Sequence, residues 1–278
     1  MTPVELTVVL FGVGLVAGAL GALLGLGGGF IVVPALTLVF GVHIRLAIGA
    51  SIVAVIATSS GAAVAYVRDR MANMRVGMLL ELATTTGAVT GAFLGSVLVP
   101  RVLYIIFAGV LVQSGIAVAR RKRLEDRPPP PPDHMADVLA LHGSYPDQAR
   151  GRIVRYRVAR TKAGLGLMYV AGTVSGLLGV GSGTLKVPAM DLAMGLPMKV
   201  STATSNFMIG VTAAASAGVY FSRGDIDPLI TAPIAVGVLV GALGGARLLG
   251  GMQPRALRLL FAAVVLVVAV NMLLKAVS

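Results

Sequence analysis

The sequence predicts an all-α integral membrane protein: two inverted repeats of five hydrophobic segments each, the second segment of each repeat a short half-helix. Three observations carry this. The 278 residues are 56% hydrophobic and 12% charged, whereas soluble domains are about 45–50% apolar and about 25% charged. Apolar runs near 20 residues long recur along the chain, as membrane-spanning helices require. And the chain matches itself at a fixed offset: Pro34 and Pro188 lie 188 − 34 = 154 positions apart.

Five hydrophobic segments precede a polar middle, at about 4–24, 29–41, 45–66, 76–99 and 101–119. Five follow it, at about 164–181, 184–196, 199–221, 227–250 and 254–276. The chain therefore divides into a first transmembrane repeat (1–119), a basic, Pro-rich loop (120–162) and a second transmembrane repeat (163–278). The second and seventh segments are short. About 13 residues reach only about 20 Å at 1.5 Å each, less than the roughly 30 Å hydrocarbon core. Each is entered through a glycine stretch, Gly25-Leu26-Gly27-Gly28-Gly29 and Gly179-Val180-Gly181-Ser182-Gly183.

The offset of 154 also pairs Gly18 with Gly172, Gly41 with Gly195, Ser51 with Ser205, Thr58 with Thr212 and Tyr66 with Tyr220. Between residues 18 and 67 there are 15 identities, where a composition this biased gives roughly one in ten by chance, so the halves are duplicates. An odd number of segments per half means that the second copy enters the membrane from the opposite side. Inverted repeats with short, Gly/Pro-interrupted segments at matching positions point to a transporter site near the midplane.

The net charge is +12. The basic residues concentrate in loops, chiefly Arg120-Arg121-Lys122-Arg123 and Arg150 to Lys162. Such loops mark the cytoplasmic side, so the middle loop is expected in the cytoplasm and both termini outside. That clustering also argues against a nucleic-acid partner. Within the loop, Pro128 to Pro132 should be extended, and 153–158 should form a hairpin with 138–141 across a turn near Gly143-Ser144. The chain has no Cys, and His43, His134 and His142 lack ligand spacing. No metal site, no catalytic arrangement and no cofactor are expected.

The glycine stretches are the first candidates for a site. A helix that begins there turns unpaired N–H groups and a positive dipole end into the protein, which suits an anion. The candidate substrate-binding residues are Gly27, Gly28, Gly29, Ser51, Gly181, Ser182, Gly183, Thr184, Lys186, Thr204, Ser205 and Asn206. Lys186 stands out, because a lysine at this depth is costly and usually functional; its repeat partner is Val32. Glu81 and Asp191 are candidates for its counter-charge or for carrying a coupling ion, a proton or sodium. Ser201 is expected to cap the eighth segment. Thr58-Ser59-Ser60 and Thr84-Thr85-Thr86 are expected to serve helix packing.

The pattern Gly25-Leu26-Gly27-Gly28-Gly29…Pro34-Ala35-Leu36, Gly41, Ala50-Ser51 resembles the sulfite exporter TauE/SafE family of permeases. So does its second copy, Gly179…Gly183…Pro188-Ala189-Met190, Gly195-Leu196-Pro197, Ser201-Thr202-Ala203-Thr204-Ser205-Asn206. The likeness covers both halves. It departs at Ser182, which replaces a glycine, and at His43, which stands where the second copy has Pro197. The resemblance implies carriage of small anions, chiefly sulfur oxyanions and organosulfonates, across the bacterial inner membrane. The expected function is a secondary transporter, an exporter or permease, working by alternating access, with the lipid bilayer and a small anion as partners. A passive anion channel would use the same donors, and a membrane sensor or assembly protein would use the basic loop. The sequence leaves both alternatives open.

Overall fold

The computed structural model describes residues 2–24, 27–68, 71–119, 133–147 and 151–251, with residues 259, 263, 266–272 and 274 beyond them. Gly25, the Arg120–Arg123 run, the polyproline run, Arg150 and most of the tenth expected segment lie outside the described residues.

In the first half, α1 (Pro3–Leu24) leads to the short α2 (Gly29–Pro34), then α3 (Ile44–Arg68), α4 (Met74–Val97) and α5 (Pro100–Ala119). A small polar unit follows: α6 (His134–Val138), β1 (Gly143–Asp147) and β2 (Arg152–Tyr156). The second half repeats the first: α7 (Thr161–Leu178), the short α8 (Gly183–Pro188), α9 (Met198–Ser222) and α10 (Pro228–Gly251). The repeat offset carries the bounds of α2, α3 and α4 onto those of α8, α9 and α10. Both short helices continue as one wider π turn, Ala35–Val39 and Ala189–Ala193. The prolines explain this, since Pro34 and Pro188 lack the N–H that would bond one turn back and their rings crowd that carbonyl.

Glycine registers fix the helix directions. A Cβ on Gly14 would strike the backbone of Ile234, and one on Gly18 that of Val238; Gly237 and Gly241 meet Phe11 and Leu15 in return. Thus α1 and α10 run side by side in the same sense with their backbones nearly touching, as small residues allow in membranes. Their repeat equivalents, α7 and α4, do the same: Gly172 meets Thr84, Gly176 meets Ala88 and Gly91 meets Thr173. Arg45 at the start of α3 reaches the Ser96 and Leu98 carbonyls at the end of α4, so α3 and α4 are antiparallel. Along α4 and α9, Asn73, Gly77 and Glu81 meet Thr204, Phe207 and Thr212 in turn, so these two are parallel. The helix α3 and its copy α9 therefore run in opposite directions.

Among the described residues, four helices are long and apolar enough to cross a membrane, Pro3–Leu23, Ile44–Ala63, Met74–Val97 and Pro228–Leu248. Their outer faces expose large apolar side chains such as Val8, Val16, Leu82, Phe93, Val236 and Leu248, a surface that lipid covers. The 25-residue α9 is different: Lys199, Ser201, Thr202, Thr204, Ser205, Asn206, Thr212 and Ser216 are all buried in it. Its polar residues face protein, at the centre of the molecule.

The hairpin forms with a different first strand from the one expected. Residues 143–147 pair with 152–156, Tyr145 opposite Val154. Val138 belongs instead to α6, because the Asp133 carboxylate accepts from the Met135 and Ala136 amides and so caps a helical turn. The same carboxylate accepts from the Thr161 amide and hydroxyl, at the start of α7. These bonds, the Thr161 amide foremost, hold Asp133 below the usual carboxylate range. The unit is docked rather than loose. Tyr145, Leu141 and Val158 share one apolar cluster with Val76 of α4, Met190 of the π turn after α8 and Val200 of α9. Asn73 donates to the Leu141 carbonyl and the Tyr156 hydroxyl. Lys199 and Asp147, each 2% exposed, form an ion pair at 2.8 Å.

Two measurements check this packing. Gly18→Ala should lower the melting temperature of the detergent-purified protein, whereas Gly12→Ala, with open space at its Cβ, should leave it unchanged or raise it slightly through helix propensity. Asp147→Ala should destabilise by roughly 3–5 kcal/mol by leaving Lys199 buried without that carboxylate. Adding Lys199→Met should restore most of the loss; a single-variant effect under about 1 kcal/mol would show the pair to be solvated.

Candidate functional site

The two glycine stretches meet the opposite half. The Ser51 hydroxyl of α3 donates to the Gly179 carbonyl at 2.6 Å, and a Cβ on Gly29 would collide with that Ser51 oxygen. In the other sense, the Asn206 amide of α9 donates to the Ala22 carbonyl at 2.9 Å. Ser59 of α3 donates to the Asn206 carbonyl and accepts from the Gly210 amide, tying the two long helices together. Gly27 lies between Val55 of α3 and Ile209 of α9. Each break in the helical backbone is thus held by the long helix of the other half.

The turns entering the short helices need positive φ. Gly27 and Gly28 have φ of 82° and 64°, and their equivalents Gly181 and Ser182 have 76° and 54°. Glycine adopts this without penalty. Ser182 does not, and a non-glycine residue in this region costs about 1–2 kcal/mol. Its hydroxyl does not cap α8, and its Oγ is buried with no hydrogen-bond partner among the described residues. Backbone strain of this kind concentrates at functional sites. Three more buried oxygens without such a partner lie on the first turns of α9: Ser201 Oγ, Thr202 Oγ1 and Asn206 Oδ1.

Lys186 is fully buried. Its ammonium donates to Thr212 Oγ1 at 2.6 Å and lies 3.6 Å from Glu81 Oε2. The Thr212 oxygen is itself 2.6 Å from Glu81 Oε1. Thr84 and Thr85, on the next turn of α4, donate to the two carboxylate oxygens at 3.0 Å each. Three elements thus build one cluster: α8 brings the lysine, α9 the hydroxyl that joins the charges, and α4 the carboxylate with its two threonines. The other copy has none of the charge, with Val32 and Ala235 at the positions of Lys186 and Glu81, while Thr58 keeps the place of Thr212.

The remaining candidates take other places. Thr204 accepts from the Asn73 amide, beside the cap of α4. Ser205 and Asp191 are buried, Asp191 in the π turn after α8. The side chain of Thr184 lies outside the described part of the structure. Ser201 is not a cap: α9 starts at Met198 with Pro197 before it, so Ser201 lies within the helix. Thr84 and Thr85 serve the carboxylate as well as the helix, and Thr212 was missed as a site residue. Its survival in both copies and the spacing of Glu81 to Thr84 and Thr85, one helical turn, were the signals available. Among the described residues, no His, Asp and Glu group could hold a metal ion.

A family model, sulfite exporter TauE/SafE, matches residues 10–272. The chain belongs to this family. It is a multi-pass membrane transporter. It is 24% identical over 273 residues, 96% of this chain and 97% of the other, to "Probable membrane transporter protein YunE" of Bacillus subtilis. It is 25% identical to "Probable membrane transporter protein YdhB" of the same organism, covering 86% of this chain and 87% of that one. A "Probable membrane transporter protein" of Xylella fastidiosa is 27% identical, over 89% of this chain and 85% of its own. No solved structure matches the chain significantly.

Ser182→Gly should raise the melting temperature by a few degrees, since it removes both the strained conformation and a buried hydroxyl. A lower melting temperature would show that the hydroxyl is held in the folded protein.

Proposed function

We propose that this TauE/SafE protein is a secondary transporter, an exporter or permease, that moves a small anion such as sulfite, thiosulfate or an organosulfonate by alternating access. The observation that carries this reading is the fully buried Lys186 on the broken helix α8. A buried ammonium is retained where it binds charge, and this one is held by side chains from two other helices rather than by its own. Ser182, one turn earlier, adds a buried hydroxyl with no partner among the described residues, a natural donor to an oxyanion. The backbone at the start of α8 adds N–H groups and the positive end of its dipole.

The opposed directions of α3 and α9 support two halves inserted in opposite senses, the arrangement through which one half rocks against the other around a fixed site. The basic middle loop lies in the cytoplasm and the termini outside on this reading. Gly27, Gly28 and Gly29 then shape the neutral wall. Ser51 and Thr204 secure the backbone around the site, through Gly179 and Asn73.

Lys186→Ala should reduce anion uptake into proteoliposomes by at least tenfold while the protein still elutes as a folded species from a sizing column. Uptake kinetics equal to those of the unaltered protein, for every anion carried, would remove Lys186 from the site.

A further inference from the structure

We propose that the carboxylate of Glu81 and the transported anion are competitors for Lys186, so that each anion is accompanied by one proton bound on Glu81. This rests on the anion site placed at Lys186 above.

The argument is one of charge balance in a buried place. Lys186 is fully buried, and its carboxylate partner is Glu81, whose side chain is 12% exposed. With the site empty, ammonium and carboxylate sum to zero. An incoming anion would set two negative charges against one positive, and a burial of that kind is strongly unfavourable. Protonation of Glu81 restores neutrality: a proton from the aqueous phase adds to one carboxylate oxygen, and the ammonium turns to the anion. The two neutral states, Lys⁺/Glu⁻ and Lys⁺/GluH/anion, can be closed off from water. The two half-loaded states carry net charge and cannot be closed at comparable cost. Movement is thereby restricted to anion and proton together, or neither.

The geometry suits a carboxylate that changes state. The Lys186–Glu81 separation of 3.6 Å is well beyond the roughly 2.7–2.9 Å of a charge-assisted hydrogen bond, and Thr212 lies between the two groups, 2.6 Å from each. Hydroxyls donate or accept, so Thr84, Thr85 and Thr212 can hold either the carboxylate or the acid without moving the backbone. Other charges on the surrounding elements lie elsewhere. On α4, Arg75 donates to the Ala140 carbonyl beside the hairpin. On α9, Lys199 pairs with Asp147. On α7 the one charged residue is Lys162, in the first turn. Asp191 lies beyond Pro188 in the π turn. Val32 and Ala235 in the other copy leave one such pair at these repeat positions, hence one proton per anion. The neutrality condition selects a monovalent anion, or the monoprotonated form of a divalent one.

The test is anion binding as a function of pH, read by thermal stabilisation of the full-length protein in detergent with methanesulfonate, ethanesulfonate and isethionate as probes, whose sulfonates stay monovalent throughout the pH range. For the bound probe, Kd should rise towards tenfold per pH unit as the pH is raised, the slope of one proton taken up with each anion. Glu81→Gln should abolish that dependence. In proteoliposomes holding a pH-sensitive dye, an inward gradient of the same probe should acidify the lumen with the potential clamped, and Glu81→Gln should lose the acidification. A Kd independent of pH in the unaltered protein, or acidification retained in Glu81→Gln, overturns the coupling while leaving the anion site in place. Absence of binding and flux for all three probes and for thiosulfate overturns the transport reading itself. If Glu81→Gln does not fold, the pH slope of the unaltered protein decides alone.

Discussion

Backbone that leaves a helix inside a membrane must find its hydrogen bonds within the protein, because lipid offers none. The chain breaks its helical run twice at the level of the glycine stretches, and everything central to the fold follows from satisfying those two breaks. Ser51 covers Gly179 and Asn206 covers Ala22, each reaching across from the opposite half. Both bonds cross from one half to the other, so the halves are tied together at the two breaks. The close pairs α1 with α10 and α4 with α7 follow the same logic, since each joins one half to the other through glycines that admit backbone contact.

Duplication would make such a molecule symmetric, and its backbone nearly is. The asymmetry lies in a few side chains. Where the first copy has Gly28 with an unstrained positive φ, the second has Ser182 at 54°. Where it has Val32 and Ala235, the other combination of elements has Lys186 and Glu81. The charged pair is present in one copy and absent as a unit from the other, and either member alone would be a buried charge without this partner. Thr212 and Thr58 differ accordingly. Both reach the carbonyl one turn back in their own helix, Ala54 and Met208, but Thr212 also accepts from an ammonium. The same residue type serves packing in one copy and chemistry in the other.

That contrast explains what the sequence could show. Element positions were legible because hydrophobic length, glycine and proline recur at a fixed offset, and these are local properties. The short helices 29–41 and 184–196 were visible for the same reason. The π turns were not, since they arise from how Pro34 and Pro188 sit in the finished helix. The hairpin was misplaced because alternation marks an extended run but not its mate; the Asp133 cap, acting on the Met135 and Ala136 amides, took Val138 into a helix. At the site, the lysine was conspicuous, and both Glu81 and Asp191 stood as candidates for its partner, with Asp191 in the same short segment the nearer in sequence. Only the parallel register of α4 and α9 brings Glu81 to Thr212 and so to Lys186, and register between distant helices is not written in either one.

The middle unit bears on this arrangement through α9. Lys199 is the repeat partner of Arg45, and the two open equivalent helices. Arg45 rests on the carbonyls that end α4, at 3.3 and 3.4 Å and partly exposed, an interaction that water can replace. Lys199 is bound instead to Asp147 in a dry contact at 2.8 Å, and separating a buried pair costs more than separating an exposed one. Thr212, which links Lys186 to Glu81, lies on the same helix as Lys199, so a displacement of α9 at that end must either carry the hairpin with it or break the ion pair. The two ends of the molecule are consequently unequal in how firmly α3 and α9 are anchored there, although the backbone that forms them is duplicated.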